Sequence, residues 1–144
     1  TSASSRMRGT AAWRPVIGIG AEEGAIVVAS FHDFEATPSD ERLAEVLAAM
    51  NVAGADVLKF ACMAHSATDA ARVLAAQAWA REAYDRPIIG ISMGQHGAPT
   101  RLVGSALGSA ATFATLPGWE GSAPGQFTVE QVRAVLDIVE GFEA

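Results

Sequence analysis

The stretch VLKFACM, Val57 to Met63, contains the only lysine of a chain with nine arginines, and places it inside an apolar run. Read as a strand, the run alternates: Val57, Lys59 and Ala61 share one face, while Leu58, Phe60 and Cys62 share the other. The larger apolar side chains suit a face covered by helices, which leaves Lys59 pointing into a barrel interior or a sheet crevice. Loss of water there disfavours the ammonium and lowers its pKa, which makes the amine a nucleophile toward a ketone or aldehyde. The competing reading is a lysine that snorkels to the strand end or pairs with Asp56 or another acid. The alternation alone leaves both open.

The neighbouring sequence gives the strand its context. AIVVASF, Ala25 to Phe31, is rich in β-branched residues and leads into HDFEATPSDE, where Pro38 and Ser39 can open a helix. Leu43, Val46, Leu47 and Met50 then recur at helical spacing up to NVAGA. After VLKFACM, Ser66 with Asp69 marks a second helix start, with Ala70, Val73, Leu74, Ala78 and Trp79 as its apolar face. A third apolar run, in RPIIGISMG, begins at Pro87, a fourth spans Gly108 to Leu116, and a last amphipathic helix is predicted from about Thr128 to Phe142. The order is β-α-β-α-β, a short helix or loop, then β-α. Strands joined by helical crossovers lie parallel, so the class is α/β with about four βα units. His32, Lys59 and Met93 are 27 and 34 positions apart, about one unit each, and are expected at equivalent strand-end positions where α/β folds place their chemistry.

The 144 residues, half of them hydrophobic, suffice for one core. A net charge of −6 argues against nucleic acid and anionic membrane surfaces as partners, although a local cationic cluster can still hold a small anion. A single cysteine, Cys62, allows neither an internal disulfide nor a cysteine zinc site and suits a reducing cytoplasm. No run approaches the roughly 18 apolar residues of a membrane span. Residues 1–24 read as a leader of uncertain structure: Arg6, Arg8 and Arg14 come without an apolar stretch after them that would make a secretory signal. The structured unit is expected at 25–144.

His32 lies two positions beyond Ser30 on one strand face, so it reaches the rim that Lys59 reaches from the next strand, and an imidazole beside an imine-forming lysine is an acid/base pair. Its alternative is a histidine satisfied by Asp33 or a loop carbonyl. His65 and His96 also follow strands, but no pair of histidines has the short spacing of metal ligands, and no metal site is expected. GIGAEEG, Gly18 to Gly24, fails as a dinucleotide motif because Glu23 occupies the third glycine position. Arg101 can grip a carboxylate with its guanidinium fork, or be a solvated loop arginine. SAPGQ, Ser122 to Gln126, fits a type II turn at Pro124-Gly125 and offers hydroxyl and amide groups for a hydroxylated ligand.

Together SFHDFEATPS (30–39), GADVLKFACM (54–63), ISMG (91–94), TRLVG (100–104), GSAATFATL (108–116) and SAPGQ (122–126) resemble, in order, the C-terminal half of type I 3-dehydroquinate dehydratase. The resemblance implies a (β/α)8-barrel enzyme of the shikimate pathway, a carbon–oxygen lyase without metal or organic cofactor. In it Lys59 would form the Schiff base with a small anionic cyclic hydroxy acid, and His32 would be the general acid/base. Arg101 would hold the substrate carboxylate, Ser122 and Gln126 would close over the ring, and Met93 and Phe113 would be apolar walls. The chain departs from the family pattern at Ala64-His65, where a proline is usual, and at Thr100, where serine is usual. No counterpart of the first four βα units is legible. Half a barrel exposes two sheet edges and an apolar interior, so completion is expected from a longer polypeptide, a second copy or a companion half. Two further readings stand: an inactive half-barrel subunit or assembly module, and another imine-forming class I lyase or aldolase.

Overall fold

The computed structural model describes residues 22–121, 123 and 125–141. Three strands, β1 (Val28–Asp33), β2 (Val57–Met63) and β3 (Ile88–Met93), form a parallel sheet in the order β1-β2-β3. Helix α1 (Asp40–Val52) joins the first two strands and α2 (Ala67–Ala83) the next two. Two short helices follow, α3 (Gly94–Gly97) and α4 (Thr100–Val103), then a 3₁₀ turn (Ser105–Leu107) and the last helix, α5 (Val129–Glu140). This is the repeated βα pattern of a barrel-type α/β fold.

Local signals set the helix starts. The Ser39 hydroxyl accepts the Arg42 backbone N–H at 3.2 Å and the Ser66 hydroxyl accepts that of Asp69 at 3.1 Å, each satisfying an N–H that the helix cannot. Thr128 and Gln131 form a reciprocal capping box at the head of α5. In α1 the buried residues are Leu43, Val46, Leu47 and Met50, the four that periodicity selects. They pack against Leu58, Phe60 and Cys62 of β2 in the main core, each burial contributing about 2 kcal/mol. The opposite face of the sheet carries a separate apolar cluster, Ala61, Ile89, Ile91 and Met93. The alternation read from VLKFACM is therefore realised, with the large side chains toward the helices and Lys59 on the other face.

Helix α2 departs from expectation. Its buried positions are Ala70, Val73, Gln77 and Ala80, while Trp79 is 44% exposed and meets Tyr84 edge-on. A glutamine takes the place in the core because it performs a backbone task. The Gln77 Oε1 accepts the Gly90 N–H at 3.0 Å, and its Nε2 donates to the carbonyls of Gly104 (2.9 Å) and Leu107 (3.1 Å). Gly90 leaves it room: a Cβ there would stand 2.6 Å from Gln77 Oε1 and 2.9 Å from Phe60.

The same bracket explains why the fourth run, expected as a strand over Gly108–Leu116, is not one. Gly90 gives its N–H to Gln77, so the ladder beyond β3 stops at one bridge, Ile88 with Ser109, and Thr115 bridges Thr128 instead. Replacing Gln77 by methionine keeps the volume but leaves one N–H and two carbonyls without this partner. Gln77→Met is expected to lower stability by about 3 kcal/mol, read as a lower denaturant midpoint with an unchanged slope.

Candidate active site

The interior face brings the two leading candidates together. Lys59 Nζ lies 3.3 Å from His32 Nε2, across the β1–β2 boundary. They are not at one level, as equal unit spacing suggested: Lys59 pairs with Ser30 and His32 pairs with Ala61, two residues further along. Lys59 is third of the seven residues of β2, not at its end. Parallel strands of a barrel are staggered, and the long lysine stem bridges the offset.

The imidazole is held on two further sides. Ser30 Oγ stands 3.5 Å from Nδ1, and the Phe34 ring stacks on the imidazole at 5.7 Å with planes 8° apart. Lys59 Nζ stands 4.8 Å from the centroid of the Phe113 ring, over its face, an arrangement that favours a cation. Against this, burial first and the nearby Arg101 charge second hold the Lys59 ammonium below its ordinary pKa. Burial, and then the Lys59 charge, lower that of His32. A proton is thus harder to keep on either nitrogen than in water, and the pair is biased toward a neutral amine beside a neutral imidazole.

Arg101, on α4, is only 4% exposed, and burial lowers its pKa too. It is no solvated loop arginine. The Thr112 hydroxyl donates to its carbonyl at 3.0 Å, fastening α4 to the segment that carries Phe113. Met93 is 2% exposed within the interior apolar cluster, and Ala123 packs on that cluster. Ala123 therefore lies on the same face as Lys59. Gln126 is placed with its amide beside Gly121, where a Cβ would meet Oε1 at 2.5 Å. Gly125 has φ +78°, the left-handed value that a type II turn requires. Ser122 and Pro124 lie outside the described residues, as does GIGAEEG up to Ala21.

Of the other candidates, the His65 ring binds the Glu35 carbonyl at 2.6 Å rather than joining His32. Cys62 faces the helices, and burial, reinforced by the Asp33 charge, pushes its thiol up to about 12, so it is a packing group rather than a nucleophile. Sequence reasoning missed the stacking role of Phe34, although its i+2 relation to His32 was the available signal. Among the described residues, no helix is long and apolar enough to cross a membrane.

The fold and this face together define a barrel-type α/β segment with a half-buried lysine beside a histidine, the equipment of imine chemistry. The chain belongs to the type I 3-dehydroquinase family, whose model matches residues 9–143. It is 39% identical over 132 residues to the 3-dehydroquinate dehydratase of Neisseria meningitidis serogroup C, covering 92% of this chain and 51% of that protein. It is 37% identical over 124 residues to that of Aromatoleum aromaticum, covering 86% and 47%. The crystal structure of 3-dehydroquinate dehydratase from Geobacillus kaustophilus superposes with a TM-score of 0.86 at 37% identity, over 92% of this chain and 51% of the other. The type I enzyme of Clostridium difficile, solved with covalently modified comenic acid, gives 0.82 at 34% identity, over 92% and 52%. The chain spans about half the length of these relatives.

Proposed function

We propose that this chain carries the Schiff-base part of a 3-dehydroquinate dehydratase site, a carbon–oxygen lyase of the shikimate pathway. The observation that carries the reading is the 3.3 Å approach of Lys59 Nζ to His32 Nε2 on a sheet face where both pKa values are lowered, in a chain of the 3-dehydroquinase family.

The neutral Lys59 amine adds to the ring ketone and, on loss of one water, forms an imine whose protonated form draws electrons from the adjacent carbon. His32 removes a proton from that carbon, and the electron pair left behind expels the β-hydroxyl, which takes the proton from the imidazolium and departs as water. Hydrolysis of the conjugated imine returns the amine and releases 3-dehydroshikimate. Arg101 binds the substrate carboxylate from its buried position, Met93 and Phe113 wall the pocket, and the Ser122–Gln126 loop covers the ring. No metal or organic cofactor enters these steps.

In this reading the remaining strands of the barrel come from further sequence, a second copy or a companion half. Supporting it, β1 is an edge of the sheet among the described residues, with Val28 50% exposed, and the matched relatives are about twice as long. A cytoplasmic setting fits the single buried cysteine.

The test is borohydride reduction with 3-dehydroquinate, followed by peptide mass spectrometry and a size measurement on the same sample. A covalent adduct on Lys59 in an assembled species is expected. No adduct in correctly assembled protein would favour the non-catalytic module, and an adduct with small aldehydes but not dehydroquinate would favour an aldolase-type enzyme.

A further inference from the structure

We infer that His65 is a positioning residue for His32, acting through the loop that follows β1. The His65 Nε2–H donates to the Glu35 carbonyl at 2.6 Å, across 30 positions of sequence. His65 is itself fixed at the head of α2, where its backbone N–H donates to Asp69 Oδ2 at 3.0 Å. That bond is the leading reason the Asp69 carboxyl stays below its ordinary pKa.

The loop is gripped at other points as well. The Thr37 hydroxyl donates to the Met63 carbonyl at 2.8 Å, which ties the loop to the end of β2. Arg72 of α2 donates to the Pro38 carbonyl and to Asp40 Oδ1. Asp33 Oδ1 accepts the N–H groups of Glu35 and Ala36, each at 2.9 Å. Glu35 is therefore fixed at its N–H by Asp33 and at its C=O by His65. Phe34 lies between Asp33 and Glu35.

Phe34 is 62% exposed, so packing does little to hold its ring, and its stack on His32 depends on where the backbone puts it. The latch sets the stack, the stack keeps water from one side of the imidazole, and dehydration, with the Lys59 charge facing the ring from β2 as the second cause, keeps that imidazole a neutral base. Freeing the Glu35 carbonyl lets the ring swing out and water return to His32.

The latch can be tested on the chain without substrate, by nitrogen-resolved NMR of its three imidazoles. In the unmodified chain the His65 ring is expected to carry its proton on Nε2, and His32 to titrate below 6.5. In His65→Ala the His32 midpoint should climb toward 6.5, and in His65→Gln, whose amide can donate to the same carbonyl, it should stay low. An unmoved His32 midpoint in the alanine variant overturns the inference, and so does a neutral His65 protonated on Nδ1. The catalytic consequence rests on the dehydratase reading: in the assembled enzyme His65→Ala should lower kcat roughly 10- to 100-fold with KM little changed, and His65→Gln should restore it. Failure of the unmodified protein to trap substrate on Lys59 sinks that reading alone. A fixed His32 midpoint sinks the latch alone.

Discussion

Replacing Lys59 by methionine is expected to abolish borohydride trapping and lower dehydration by a factor on the order of 10⁵ or more, as loss of a covalent nucleophile does elsewhere. The same variant should be more stable than the parent. Lys59 sits half-buried on an apolar face, its pKa lowered by burial and by the Arg101 charge. The folded state therefore binds fewer protons than the unfolded one between the lowered value and 10.5, and below that window it carries the full penalty of a poorly solvated ammonium. Methionine removes the penalty and keeps the stem. A rise in denaturation midpoint with loss of trapping separates a missing amine from a damaged fold. The pH dependence has the matching sign: trapping by the parent should increase with pH along a limb centred below 10.5, as the ammonium gives way to the amine. A midpoint at or above 10.5 would place the nitrogen in free water and remove the reason for its reactivity.

Replacing His32 by glutamine should separate the steps in the opposite way. In the proposed mechanism imine formation needs Lys59 and survives, while proton removal loses its base, so turnover should fall about 10²- to 10⁴-fold and trapped adduct should accumulate. Because the His32 pKa is lowered, first by burial and then by the Lys59 charge, turnover of the parent should fall as pH drops through a midpoint below 6.5. Stability changes in the same direction: as pH falls below 6.5 the unfolded chain takes up a proton that the folded one resists, and folding weakens until the lowered pKa is passed. His32→Gln should remove that part of the acid sensitivity. Equal loss of trapping and turnover in this variant would mean that the imidazole shapes the pocket rather than moving the proton.

The sequence made β1 to β3 and the buried face of α1 readable, because periodicity and capping act within a few residues. Leu43, Val46, Leu47 and Met50 needed only α-helical spacing, and Lys59 needed only the two-residue alternation of a strand. What escaped was set by distant partners. The fourth run has strand-like composition, but Gln77, from a helix that precedes β3, occupies the edge it would join. The two-residue offset between Lys59 and His32 follows from strand stagger, which spacing along the chain does not encode. At the site, His32 and Lys59 were legible from faces and unit spacing. The burial of Arg101 and the place of Phe113 over the amine were not, since each depends on a segment more than 40 positions away from Lys59. The role of Phe113 comes from resemblance alone, whereas the guanidinium fork of Arg101 already suggests a carboxylate clamp.

The Gln77 bracket has a consequence for the ring above the amine. With β3's outer edge engaged by a side chain, the stretch bearing Phe113 is moored at Ser109, Thr112 and Thr115 rather than woven into the sheet. A moored stretch can yield by an ångström without unzipping a strand. In the proposed dehydratase, Phe113 is thus mounted to accommodate an incoming ring above the hydrogen-bonded strands β2 and β3.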